Sequence, residues 1–330
     1  MKPALAALAA LMLFSLLMGP ASVDWWALAT AWLPGSETEA FGWLVLELRS
    51  ARTLLAVMTG AALAVGGAVM QGLFRNPLAE PGLVGVSAGA ALGAVTIMMA
   101  GLTGALWVGA AGFLGALIAT GLAWQLACHQ RGSAGLLLAG IAINALALSL
   151  ISLFISLASD QQIRSVTFWS LGSMARTPLL VVLFLLPWVG SGLWILYRQW
   201  PALNALLLGE QQAEQVGVSV NRVRFFLIAT MALIVGPLVG FTGAISFVGL
   251  LVPQLLRRFV GGNHQRLLPL AAIVGAMAVL VADMLSRSLV APAELPIGVV
   301  ISLVGAPLFL WLLQRTFSQR PSESQSSSTL

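Results

Sequence analysis

A single carboxylate, Asp283, lies inside a long apolar run of this 330-residue chain, and Arg287 follows it four residues later. An acid at membrane depth is by default a candidate for ion binding or a proton relay. On a helix, residues four apart share a face, so Asp283 and Arg287 predict an acid-to-base pair near the helix end that keeps both charges at the interface. That structural pair is the stronger reading, and one partnered acid is thin support for proton coupling. Catalytic constellations are missing: the chain has no His-Glu-x-x-His, no Gly-x-Ser-x-Gly elbow and no paired carboxylates in an apolar segment. His129 and His264, the two histidines, fall between apolar runs in what read as cytoplasmic loops, and Cys128 is the lone cysteine. Neither a disulfide nor a metal site is expected. Lys2 is the single lysine, so a phosphate-cradling loop ending in Gly-Lys-Ser/Thr cannot occur. The chain therefore reads as no enzyme and as needing no cofactor; if nucleotide powers it, another subunit hydrolyses it.

Other stretches interrupt the apolar pattern. Arg75-Asn76-Pro77-Leu78-Ala79-Glu80-Pro81-Gly82 predicts a sharp, structured turn, because both prolines oppose helix and Gly82 permits unusual dihedrals. Glu294-Leu295-Pro296-Ile297-Gly298 opens the last apolar run with proline in a first helical turn, where its missing N–H costs nothing. Ala205–Val218 predicts a short amphipathic helix with Gly209, Ala213 and Gly217 spaced by four along one face. The residues alone leave two roles open for it: a surface helix on the headgroups, or a knob that docks into a cytoplasmic partner and transmits its motion. Gly85, Gly89 and Gly93 also recur every four residues, which favours a close helix-packing seam over a pathway lining.

Composition dictates the elements that must position these residues. Hydrophobic residues make up 59% of the chain and charged ones 8%, against roughly 25% charged in an average soluble domain. Lipid is therefore the main solvent, and large soluble domains are excluded. Apolar runs at 3–18, 53–73, 83–100, 106–126, 134–157, 179–197, 225–241, 245–256, 267–285 and 295–313 predict about ten spanning helices, so the fold class is all-α membrane protein. The first run, behind Lys2 and ahead of Gly19-Pro20-Ala21-Ser22, reads as either a signal peptide or a first spanning helix. The count of ten takes it as retained. Ala21–Arg52, rich in tryptophan, is expected to lie at the interface without spanning.

An even number of spans puts both termini on one side, and the basic residues choose it. Lys2, Arg75, Arg131, Arg198, Arg222, Arg224, Arg257, Arg258, Arg266, Arg315 and Arg320 fall on one face, and Arg49, Arg52, Arg164, Arg176 and Arg287 on the other. The richer face should be cytoplasmic. The net charge of +5 belongs to this orientation signal and not to nucleic-acid binding, since no basic cluster exceeds two residues. The serine-rich end, 318–330, is expected to be a disordered cytoplasmic tail after a single transmembrane domain, 1–317. A secondary transporter or channel is the rival class, but such proteins usually display several intramembrane ionisable or filter-like residues, and here only Asp283 qualifies.

Five ordered stretches resemble a known family, the permease subunits of ATP-driven importers for iron-siderophores, haem and vitamin B12. They are Gly60-Ala-Ala-Leu-Ala through Gln71, Arg75 through Ala90, Phe168-Trp-Ser-Leu-Gly-Ser, the Gly209–Gly217 helix, and Glu294-Leu-Pro-Ile-Gly-Val-Val through Gly305-Ala-Pro. Together they extend from about Arg49 to Leu313. The resemblance implies a type II ABC importer permease fold and a homodimer of ten-helix subunits with its pathway along the dimer axis. Its implied partners are two cytoplasmic ATPase subunits and a periplasmic binding protein, in the inner membrane of a bacterium. It also implies roles: Gly209, Glu210, Ala213 and Gly217 match the ATPase-coupling element, and Arg49, Arg52 and Arg287 match, by position, the periplasmic arginines that pair with acidic residues of the binding protein. For cargo the resemblance ranks iron complexes first, with vitamin B12 close behind.

Overall fold

The computed structural model describes residues 1–18, 42, 44–128, 134–175, 177–291 and 293–318. Among these, regular structure is helical throughout. In chain order the helices are α1 (Lys2–Leu17), α2 (Ser50–Phe74), α3 (Val86–Met99), α4 (Ala105–Ala127), α5 (Ala134–Ser156) and α6 (Asp160–Ser170). They continue with α7 (Leu179–Arg198), α8 (Trp200–Leu208), α9 (Glu210–Gln215), α10 (Val220–Thr242), α11 (Val248–Val260), α12 (His264–Ser288) and α13 (Ile297–Ser318). Six segments are long and apolar enough to cross a membrane, those built on α2, α4, α5, α7, α10 and α12, and α1, α3 and α13 are shorter apolar helices. The expected interfacial segment lies almost wholly outside the described residues. Its end, Leu44–Arg49, winds as a π-helix straight into α2.

The most buried helix is α2: 89% of its apolar window lies inside the protein, against 22% for α5. Its small residues explain this position. Gly60 lies so close to Gly275 of α12 that a Cβ on either would overlap the other's backbone carbonyl, and a Cβ on Gly67 would overlap the Gly249 carbonyl of α11. Small residues let backbones approach where lipid gives no hydrophobic drive to associate. On α3, a Cβ on Gly89 or Gly93 would strike the backbone of α4 at Gly115 or Ala111. Gly85 faces α4 too, but it is not helical. With φ of +93° it caps the N-terminus of α3, a conformation that suits glycine.

Prolines inside spans leave carbonyls without their helical donors, and neighbouring helices supply replacements. Pro237 of α10 orphans the Leu233 carbonyl, which accepts from the Trp188 indole of α7 at 2.8 Å. Pro253 of α11 orphans the Gly249 carbonyl, which accepts from the Gln71 amide of α2 at 3.2 Å. The short α6, not anticipated as a helix, is opened by a capping box in which Ser159 and Gln162 satisfy each other's backbone N–H groups.

Helix direction and contacts define two ends of the bundle. At one, the start of α2 meets the end of α12; at the other, α8 packs against the end of α2 and the start of α12, and α9 turns from it onto α10 to form an elbow. The elbow differs from expectation: instead of one helix over 205–218, α8 ends and α9 begins at Gly209, whose φ of +127° breaks the spiral. Gly217, at φ +87°, lies beyond the end of α9, so of the three small residues only Ala213 is within a helix, and it is fully buried. The break places these residues around a bend and not along one face.

Candidate functional site

At the first end, sequence-distant charges converge. The Arg52 guanidinium donates from Nε to Asp283 Oδ1 at 2.6 Å and from Nη1 to both Glu294 carboxylate oxygens at 2.9 Å. Asp283 also pairs with Arg287 at 3.1 Å, so the predicted i,i+4 pair forms. Its surroundings are a correction: Asp283 is fully buried and Arg287 only 3% exposed. A buried charge needs a partner and hydrogen bonds, and α1 contributes some of them. Arg287 donates to Ser15 Oγ at 2.7 Å, Ser15 bonds Thr53 of α2, and Arg49 donates to the Leu16 and Leu17 carbonyls at 2.9 and 3.0 Å. Arg49 and Arg287 thus bind the carbonyl end of α1, which has no basic residue of its own in its last turn. All three arginines named from sequence therefore belong to one cluster, and each is buried. Glu294 and Ser15 were not anticipated, because no local spacing links them to Arg52 or Arg287.

Beside the cluster lies a cavity of about 160 Å³ lined by Arg52, Phe168, Trp169, Thr242, Glu294 and Pro296, among others. Its walls are fixed by the backbone: Ile297 and Gly298 donate to the carbonyls of Gly172 and Leu171, and Ser286 and Leu295 exchange two bonds. Trp169 donates its indole N–H to the Gly240 carbonyl at the end of α10. A bulky ligand needs roughly 300–1,000 Å³, so this space does not hold one.

At the elbow end the joint between helices is neutral. The Asn204 Oδ1 of α8 accepts from the His264 backbone N–H at 2.9 Å and lies 2.9 Å from His264 Nδ1, while its Nδ2 donates to Asn263 Oδ1 at 3.0 Å. Asn263 in turn caps the first turn of α12 at the Gln265 N–H. His264 is fully buried with its ring against Gly72 of α2, a correction to its expected loop position; His129 lies outside the described residues. Glu210 of α9 pairs with the buried Arg224 of α10 at 2.7 Å. The Arg75–Gly82 turn is structured as expected, held by Asn144 at the Gly82 carbonyl and Gln254 at the Pro77 carbonyl. Within it, burial pushes the Glu80 carboxyl above its usual range. Among the described residues no group of histidine, cysteine and acidic side chains could hold a metal ion.

The bundle carries a charged cluster at one end and a jointed elbow at the other, and comparison with known proteins decides its family. The FecCD transport family profile matches residues 7–315. The chain belongs to the FecCD transport family. The hemin transport system permease protein HmuU of Yersinia pestis is 42% identical over 323 residues, covering 94% of this chain and 95% of that one. The vitamin B12 import system permease protein BtuC of Escherichia coli O127:H6 is 39% identical over 309 residues, covering 93% of each. Among solved structures, a metal-chelate type ABC transporter in an inward-facing conformation superposes with a TM-score of 0.83 at 30% identity, covering 96% of this chain and all of that one. As a FecCD member the chain is a multi-pass inner-membrane permease subunit of an ABC importer and not itself an enzyme; ATP hydrolysis resides in a separate ATPase partner, and a substrate-binding protein completes the system.

Proposed function

We propose that this permease forms a homodimer of ten-helix, type II subunits with both termini cytoplasmic, and carries a bulky metal chelate from periplasm to cytoplasm through a pathway along the dimer axis. Haem or a ferric siderophore ranks ahead of vitamin B12. The family match carries this reading; the cavity beside the charged cluster, at about 160 Å³, is too small to be the path of a bulky chelate. The capping of α1 by Arg49 and Arg287 supports its retention as the first spanning helix.

Arg49, Arg52 and Arg287 mark the face that receives acidic residues of the periplasmic binding protein. Gly209, Glu210, Ala213 and Gly217 form the elbow on which each of two ATPase subunits acts, and Gly85, Gly89 and Gly93 serve packing. Nucleotide binding closes the ATPase pair, the elbows follow, and the jointed helices tilt so that access alternates. The drive is the difference in nucleotide affinity between the two conformations.

Reconstitution in vesicles with the ATPase and the cognate binding protein tests this reading. ATP-dependent accumulation of haem or a ferric chelate in preference to cobalamin is expected. Uptake without ATP, or uptake sustained by a proton gradient alone, overturns the ATP-driven mechanism; cobalamin as the sole accumulated cargo overturns the ranking.

A further inference from the structure

We propose that Glu294 is a built-in stand-in for the binding protein's docking acid: it occupies the free edge of Arg52 until an incoming carboxylate exchanges with it, and that exchange releases the wall of the neighbouring cavity. The inference rests on the docking role assigned to Arg52 above.

Arg52 presents two edges, and they are held differently. Its Nε is committed to Asp283, which is fully buried and shared with Arg287. Its Nη1 is held by Glu294 alone, through both carboxylate oxygens at 2.9 Å. Glu294 has a side chain 39% exposed, sits outside any helix, and has no other ion-pair partner among the described residues. Asp283 cannot leave without taking from Arg287 its one carboxylate and from Arg52 its buried one, whereas Glu294 can rotate into water at small cost. A carboxylate from a docked acidic surface can thus replace Glu294 on Arg52 with no change in buried charge.

Glu294 is also the first residue of the stretch that opens α13. The next residues, Leu295, Pro296 and Ile297, line the cavity opposite Phe168 and Trp169 of α6. The backbone N–H groups of Leu295, Ile297 and Gly298 bond to Ser286, Gly172 and Leu171. The arginine that receives the partner is therefore tied, through one displaceable carboxylate, to the segment that closes the bundle at this end. Docking and loosening become one event.

A double-mutant cycle on the assembled permease–ATPase complex, read as affinity for the cognate binding protein at low salt, tests this. Arg52→Gln should weaken binding about tenfold or more, the loss expected for one charge-assisted pair. Glu294→Gln removes the competing charge and should tighten binding several-fold on the native background. On the Arg52→Gln background it should have no effect. If Arg52→Gln leaves affinity unchanged, the docking role of Arg52 fails and this inference with it. If Arg52→Gln weakens binding but Glu294→Gln does not tighten it, or tightens it equally on both backgrounds, docking stands and the exchange is refuted. Hydrogen exchange on the unmutated complex reads the second half independently of any variant: the amides of Leu295, Ile297 and Gly298 should exchange faster once the binding protein docks, and unchanged or slower exchange overturns the release.

Discussion

The two ends of the α2–α12 pair are built from opposite materials. At the α2 start, Arg52, Asp283, Arg287 and Glu294 form a chain of ion pairs, three of whose members are buried. At the other end, the α8–α12 joint consists of Asn204, Asn263 and His264, neutral groups that hydrogen-bond one another with a glycine packed behind the histidine ring. Charges must be compensated wherever they are buried, but one carboxylate can substitute for another, so a charged cluster can change partners. Neutral amides with directional bonds lose most when a bond is broken and gain little from exchange. One end is therefore suited to trading partners and the other to holding its geometry while it is pushed.

The charged end should be the more fragile. Asp283→Ala strands Arg52 and Arg287 in a buried site, and truncating one member of such a network costs about 3–5 kcal/mol. Reversible unfolding in detergent measures it, and a loss below about 1 kcal/mol would mean that water or lipid headgroups already solvate the cluster. Between the ends, Gly60→Val tests whether the helix pair behaves as one strut. The new side chain meets the Gly275 carbonyl, which is backbone and cannot rotate away. Overpacking of this kind costs roughly 1–3 kcal/mol, and a variant of native stability would show that α2 and α12 separate easily.

Asn204→Ala breaks the comparison at its neutral end. It leaves the His264 backbone N–H without its acceptor, a loss of about 1–3 kcal/mol for a buried polar group. The diagnostic readout is functional: ATPase activity stimulated by the binding protein should fall more than basal activity, with Asn204→Ser recovering part of the difference. Equal loss of both activities would make the joint a stability element only.

The six long apolar helices were legible because each needs a run of apolar residues that nothing else in the chain imitates, and the Asp283–Arg287 pair was legible because it is local to one helix turn. Arg52 and Asp283 are 231 positions apart, and Asn204 and His264 60 apart, so their meeting depends on which helices touch. Apolar periodicity does not report that: helices surrounded by lipid and helices surrounded by protein are equally hydrophobic. The elbow was misread for a different reason. A spacing of four marks a helical face only if the helix continues, and at Gly209 the absence of a Cβ permits the backbone to leave the helix instead. The Ser159–Gln162 capping signature was local and readable, and α6 could have been found from it.

Glu80 sharpens the comparison with the smallest expected effect. It is a half-buried carboxylate on the Arg75–Gly82 turn with no ion-pair partner among the described residues, the reverse of Asp283. Burial raises its pKa above the ordinary value of 4.5, so the folded protein binds this proton more readily than the unfolded chain does. Stability contributed at this position is therefore greatest at acidic pH and declines as pH rises through the unfolded and then the folded pKa. Glu80→Gln removes the titration, so the variant should be the more stable at neutral pH, with the difference shrinking as the pH falls toward about 4.5 and gone below it. Parallel unfolding curves at neutral and acidic pH measure it. If the variant is less stable at neutral pH, Glu80 has a partner that favours its charged form, and the contrast with Asp283 dissolves.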